Sequence, residues 1–193
     1  MAANPRLRLT AEEYLRLERE AEFKSEFVAG EVRAMAGAGL DHVEICSSLL
    51  GILRNELAGS PCRALAGDLK VRAGVDAGYF YPDLTILCGE PEFANETQEI
   101  VNNPTVLIEV LSPSTEAFDR GIKFAHYRTL SSLQAYVLVS QAEAALEVFA
   151  RSEAGWVLSD YRGLDSSFTL PSLNVTLPLS EIYARVRFET AAS

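Results

Sequence analysis

The chain has 193 residues, 48% of them hydrophobic and 23% charged, with 12 glycines and 8 prolines. That profile excludes a disordered chain and a small disulfide scaffold, and it suits one domain over residues 1–193 that buries a core without staples. Seventeen basic against 27 acidic residues leave a net charge of −10; this argues against nucleic-acid binding through a broadly basic surface, but not against a metal-dependent nuclease, whose carboxylates count as negative until an ion reverses the local field.

Thr10 and Glu13 form a capping box that opens a short helix carrying Leu15 and Leu17. From Ser25 to Ala36 apolar and polar residues alternate around Ala29-Gly30, which predicts a hairpin turning at the glycine, and Gly37-Ala-Gly39 ends it. Asp41 to Glu44 is a second capping signature. Behind it Ile45, Leu49, Leu53 and Leu57 mark one face of a helix of about four to five turns that stops at Ala58-Gly59. Strands are expected over Cys62 to Arg72, Tyr79 to Leu87 and Thr105 to Leu111, with a polar loop from Gly89 to Pro104. The run Thr105 to Leu111 is almost continuously apolar, as in a central strand buried on both faces. A helix over roughly Asp119 to Leu130, a buried strand Ala135 to Val139, a hairpin of Ala145 to Arg151 with Trp156 to Tyr161, and a terminal helix from Leu179 to Val186 begun at Ser180 complete the chain. The fold class expected is α/β (α+β), a mixed β-sheet flanked by helices, in one domain.

The three cysteines, Cys46, Cys62 and Cys88, show no C-x-x-C spacing; neither a zinc knuckle nor a disulfide framework is indicated, and a reducing cytoplasm is expected. The N-terminus lacks an apolar h-region and no long uncharged apolar run occurs, so a soluble protein with no membrane partner is expected.

Two acids stand inside apolar strands, Asp83 in Tyr79 to Leu87 and Glu109 in Val106 to Leu111. An unpaired buried carboxylate costs several kcal/mol, so a cation, a basic side chain or a raised pKa must offset it. From Ala73 to Asp119 there are nine acids and no Lys or Arg, which makes a metal ion the natural compensator. Hard oxygen ligands select Mg²⁺, Mn²⁺ or Ca²⁺, and Mg²⁺ commonly takes only one or two carboxylates. The plain alternative puts both acids at strand ends, reaching solvent or a helix N-terminus.

Pro82-Asp83 followed by Glu109-Val-Leu111 on the next strand resembles the PD-(D/E)XK nuclease superfamily. More closely, Gly30-Glu31, the helix start at His42, Asp68-Leu-Lys70, Tyr81-Pro-Asp83, Glu109 to Thr115, Asp119 to Lys123, Tyr127 and Leu170 to Leu173 are similar to the Uma-two family of restriction-endonuclease-like proteins. The resemblance implies a restriction-endonuclease-like core with an N-terminal helix and hairpin and a C-terminal hairpin and helix. It implies Mg²⁺- or Mn²⁺-dependent hydrolysis of DNA phosphodiesters, with Asp83, Glu109 and the Val110 carbonyl as ligands. Position 111, where the superfamily carries its lysine, is Leu. Lys123 on the following helix is the candidate for a migrated ammonium, and Lys70, sharing a strand face with Asp68, is its rival, with a solvated edge lysine as the bland account. His42 either adjoins the metal or only hydrogen-bonds at its helix start; Glu31 is an acid near the site or an exposed strand residue.

Arg63, Lys70, Arg72, Arg120, Lys123 and Arg128 are expected to converge on one cleft, giving weak, salt-sensitive DNA binding. A homodimer would supply two sites for two strands. The alternative from another class is a nuclease fold without catalysis, acting as a nucleic-acid or protein binding module; a third reading sets the two carboxylates to acid and base work on a glycoside.

Overall fold

The computed structural model describes residues 8–74 and 76–188. Helix α1 (Ala11–Glu20) opens on Thr10, whose hydroxyl accepts from the Glu13 amide while the Glu13 carboxylate accepts from the Thr10 amide. Tyr14 is its buried residue, whereas Leu17 faces outward. Strands β1 (Ser25–Val28) and β2 (Glu31–Ala34) make the expected hairpin; Ala29 and Gly30 both take positive φ, 50° and 86°, the mirror-image turn that matches strand twist. Helix α2 (Leu40–Glu56) starts ahead of the predicted cap. Gly39 is the N-cap and no side chain caps it, so Asp41 lies in the first turn, where its charge meets the positive end of the helix. Ile45, Leu49 and Leu53 are buried as the spacing predicts.

The two long strands predicted next are each two strands. β3 (Cys62–Ala66) and β6 (Leu84–Cys88) pair with each other in one sheet, and β4 (Lys70–Ala73) and β5 (Gly78–Phe80) pair in another. The chain crosses between sheets at Gly67, which has φ 40°, and at Tyr81-Pro82-Asp83. The crossings are tied by the Gly67 amide donating to the Asp83 carbonyl at 3.0 Å. Pro82 has no N–H for a ladder, which favours a break there. The sequence pattern missed both breaks because apolar residues continue through them as the chain passes from one buried sheet to the next.

The larger sheet has six strands in the order β11-β10-β9-β8-β6-β3, with β8 (Val106–Val110), β9 (Ala135–Val139), β10 (Ala145–Ser152) and β11 (Gly155–Arg162). β8 is central, fully buried, antiparallel to β6 and parallel to β9. The smaller sheet, β2-β1-β5-β4-β7, includes β7 (Ile100–Val101) from within the loop predicted to be irregular. Between β8 and β9 the expected single helix is α3 (Glu116–Phe118), a π turn (Asp119–Lys123) and α4 (Phe124–Tyr127). A hairpin of β12 (Ser167–Leu170) and β13 (Val175–Pro178), not predicted, leads to α5 (Leu179–Ile182), which is shorter than expected and starts at Leu179 rather than Ser180.

One face of the six-stranded sheet is covered by α2, the β12–β13 hairpin and α5 through Ile45, Leu49, Phe168, Leu177 and Ile182. The other face packs Leu107 and Tyr136 against Phe80, Phe118 and Tyr127. Cys62 and Cys88 are register partners, their Cα atoms 4.0 Å apart, and form a disulfide. This corrects the expectation of no disulfide: antiparallel register, not motif spacing, brings together cysteines 26 residues apart, and the cysteine argument for a reducing compartment falls with it. Among the described residues no helix is long and apolar enough to cross a membrane.

Candidate active site

Asp83 sits at the crossing between the two sheets rather than inside a strand. Its Oδ2 accepts from the Val110 amide at 2.7 Å, and its Oδ1 meets His42 Nε2 at 3.1 Å. In a parallel pair one strand residue bonds forward and back on its neighbour: the Leu111 amide donates to the Val139 carbonyl, so Val110 turns its backbone groups away from β9. Its carbonyl therefore points to the same side as the amide that holds Asp83.

Glu109, one residue earlier, is 3% exposed and faces the helical segment. Lys123 Nζ lies 3.1 Å and Tyr127 Oη 3.1 Å from its Oε1. Both contacts use that one oxygen, which leaves Oε2 to a ligand. The Lys123 ammonium, itself 5% exposed, also lies 2.9 Å from Glu26 Oε1 and 3.1 Å from Asp119 Oδ1. The Asp119 contact is out of line for a hydrogen bond, and that oxygen is buried with no other donor. The π turn explains the convergence: five residues per bonded ring shift Asp119 and Lys123 relative to an α-helix and set both toward β8.

Glu26, His42, Asp83, Glu109, Asp119 and Lys123 all line one cavity of about 490 Å³. Burial pushes the Glu109 carboxyl well above its ordinary 4.5; Lys123 pulls it back, and Asp119, Asp83 and Glu26 add to the rise. Glu26 is raised too, again by burial first, against the pull of Lys123. Burial works against the charge of Lys123, but Glu109, Glu26 and Asp119 outweigh it and hold the ammonium above its usual range. Three carboxylates thus share one buried ammonium, Asp83 adds a fourth acid to the cavity, and one Asp119 oxygen is an orphan. A divalent cation fits that surplus of hard oxygen donors.

His42 is raised by its hydrogen bond to Asp83, against burial. The Gln141 amide nitrogen donates to the Leu111 carbonyl at 2.7 Å and lies 3.3 Å from His42 Nδ1. A neutral His42 beside that donor accepts at Nδ1 and carries its proton on Nε2, facing Asp83. Cys46, one helical turn on, brings His42, Cys46 and Asp83 ligand atoms within 4.8 Å of one another. That trio would suit a softer metal, yet the Gln141 contact favours the tautomer in which His42 donates rather than ligates.

The structure therefore gathers Asp83, Glu109, Val110, Lys123 and His42. It does not gather the others. Lys70 is 7% exposed, its ammonium over the Tyr14 and Tyr81 rings at 5.5 and 5.1 Å, outside the residues lining the cavity. Asp68 is exposed and pairs with Lys24, and Glu31 is exposed on β2 opposite Val28. The basic residues do not converge either: Arg120 pairs with Glu116 and Glu147, Arg63 reaches the Gly89 carbonyl, and the cations lining the cavity are Lys123 and Arg33. Arg33 lies 4.4 Å over the Phe118 ring and donates to the Ser114 carbonyl. Sequence reasoning missed Glu26, Arg33 and Gln141. The signal for Glu26 was its place beside Phe27 in a strand, where alternation buries one of the two on each face.

A family model described as "Uma2: Putative restriction endonuclease" matches residues 11–180. Two uncharacterized proteins of Synechocystis sp. are similar: sll1609, 35% identical over 80% of this chain and 88% of its own, and slr1290, 33% identical over 94% of each. The fold is similar to a crystal structure from Anabaena variabilis described as "a putative nuclease belonging to DUF820". Its TM-score is 0.73 and its identity 19%, over 91% of this chain and 98% of that one.

Proposed function

The chain belongs to the Uma2 family of restriction-endonuclease-like proteins, and from that premise we propose that it is a Mg²⁺- or Mn²⁺-dependent endonuclease hydrolysing DNA phosphodiester bonds. The observation that carries the reading is the meeting, in one cavity, of Asp83, Glu109 and a buried lysine ammonium. Asp83, Glu109 and the Val110 carbonyl would hold the ion. When bound, a divalent ion lowers the pKa of a water and neutralises charge on a scissile phosphate.

The side chains around it set the geometry. The Val110 amide and His42 fix the two oxygens of Asp83, and Tyr127 and Lys123 fix Oε1 of Glu109. Lys123 supplies from the helix the ammonium that Leu111 lacks, orienting the attacking water and meeting charge that develops on the phosphoryl oxygens. Arg33 presents a guanidinium at the cavity to a phosphate oxygen. With so few cations at the cavity, DNA binding is weak and its salt dependence shallow, in place of the salt-sensitive binding expected from converging basic residues.

Calorimetric titration of Mn²⁺ and Mg²⁺ into wild type and Asp83→Ala, with plasmid nicking followed in the same samples, tests this. Binding and nicking by wild type, both lost in the variant, are expected. Binding without nicking would favour the second reading, a non-catalytic module on the same fold, which the engagement of Lys123 by three carboxylates supports. No binding at all would overturn the metal site.

A further inference from the structure

β11 ends the six-stranded sheet, and among the described residues nothing pairs with its outer edge. At eight residues it equals β10 as the longest strand of the fold, and its register with β10 runs without a bulge from Ala145↔Arg162 to Ser152↔Gly155. Such edges are usually blunted by a proline, a lysine, a bulge or shortness. β11 has none of these; its charged residues are Asp160 and Arg162. Val157 and Leu158, on opposite faces at the middle of the strand, are 52% and 48% exposed.

The hydrogen-bond phase of this edge is fixed. The Gly163 amide donates to the Ala144 carbonyl, continuing the β10–β11 register. Because antiparallel bonding alternates, Gly155, Val157, Ser159 and Tyr161 bond inward to β10, and Trp156, Leu158, Asp160 and Arg162 turn their amides and carbonyls outward. An antiparallel partner must match that phase, and a second copy of the same strand does so about a two-fold axis. Centring the axis on Asp160 would set like charges opposite each other, which destabilises a sheet. Centring it on Leu158 would leave Arg162 beyond the partner strand. With the axis at Ser159, all the outward groups overlap: Trp156 faces the second copy's Arg162 and Leu158 its Asp160. The exposed Val157 then faces Tyr161 of the second copy, a β-branched and aromatic cross-strand pair.

We propose that β11 pairs antiparallel with β11 of a second copy about a two-fold axis at Ser159, joining two six-stranded sheets into one. The interface is isologous, as in most soluble dimers. Because β11 contributes nothing to the cavity holding Asp83 and Glu109, the inference stands whether or not that site is catalytic.

Sedimentation equilibrium of wild type, Asp160→Pro and Leu158→Glu tests it. The Asp160 amide points outward, so proline there removes no bond of the β10–β11 ladder, yet it removes one bond from each half of the dimer. Two bonds at about tenfold each raise the dissociation constant roughly 100-fold. Leu158→Glu dissociates the dimer by setting a like charge opposite Asp160 of the second copy on each side of the axis, and it serves where proline disturbs the fold, which circular dichroism reports. Ser159→Cys reads the register: opposed Cα atoms of a non-hydrogen-bonded pair lie about 4.5 Å apart, within disulfide reach. Covalent dimers should form on mild oxidation of Ser159→Cys and not of Val157→Cys. A monomeric wild type, a dimer indifferent to both edge variants, or equal cross-linking at positions 157 and 159 would overturn the proposal.

Discussion

Lys123 is the residue on which the candidate site turns. Removing it leaves Glu26, Glu109 and Asp119 buried around an empty centre, and breaking a buried ion pair from one side costs about 3–5 kcal/mol. Lys123→Ala is therefore expected to abolish metal-dependent nicking and to lower the denaturant midpoint, with added Mn²⁺ recovering part of the stability and none of the cleavage. Nicking at the wild-type rate would remove Lys123 from the mechanism. Gln141 offers a subtler change. A carboxylate at 141 accepts from Nδ1–H, moving the His42 proton away from Asp83 and freeing Nε2 as a ligand. Gln141→Glu should raise affinity for Zn²⁺ relative to Mg²⁺, read by competition calorimetry, and Cys46→Ser in that background should reverse the gain.

At the scale of elements, the π turn decides what the helix after β8 can do. The sequence shows Asp119 and Lys123 four apart on a helix, and it shows Leu where a lysine was wanted two residues after Glu109. It does not show the extra residue in the turn, because a π turn has the same composition as the α-helix around it. The hairpin β1–β2, the capping box of α1, the α2 face and strands β8 to β11 were legible because each has its own period or turn residue. The crossings at Gly67 and Pro82 were not, since burial on both sides erases alternation, and the hairpin β12–β13 hid in short runs. Glycines give this scale its test. A methyl on Gly74, at φ +87°, would come 2.5 Å from the His126 ring, whereas one on Gly121 meets nothing within 4 Å. Gly74→Ala should cost about 1–3 kcal/mol and Gly121→Ala should stabilise by about 0.4–1 kcal/mol, both read by urea unfolding.

For the whole molecule, buried carboxylates tie stability to pH. Glu109 and Glu26 keep their protons above pH 4.5 in the folded state, where the unfolded chain has released them. The folded form then binds more protons, so raising the pH through their elevated folded values removes stability. His42 acts in the same sense: its raised pKa stabilises below 6.5, and that contribution is lost as pH rises through the folded value. The metal-free protein should thus melt at a higher temperature near pH 5 than near pH 8, and Mn²⁺ should raise Tm more at the higher pH, where it competes with fewer protons. A flat profile would mean the carboxylates are compensated already. The disulfide between β3 and β6 adds a separate term: closing a loop of 26 residues is worth about 3 kcal/mol in the chain-entropy account, so reduction should lower Tm while leaving Mn²⁺ affinity in place.

The paired crossings also prescribe how the molecule can flex. Since β3 runs into β4 and β5 into β6, the two sheets are tied against sliding, and any hinge motion between them would turn like a book about a spine through Gly67 and Asp83. Asp83 lies on that spine. Glu109 belongs to one page and Glu26 to the other, and the Lys123 ammonium clasps them at 3.1 and 2.9 Å. Opening the book would part the clasp while leaving Asp83 in register with Val110, so a substrate that pries the sheets apart would unlock the lysine by the same movement that admits it.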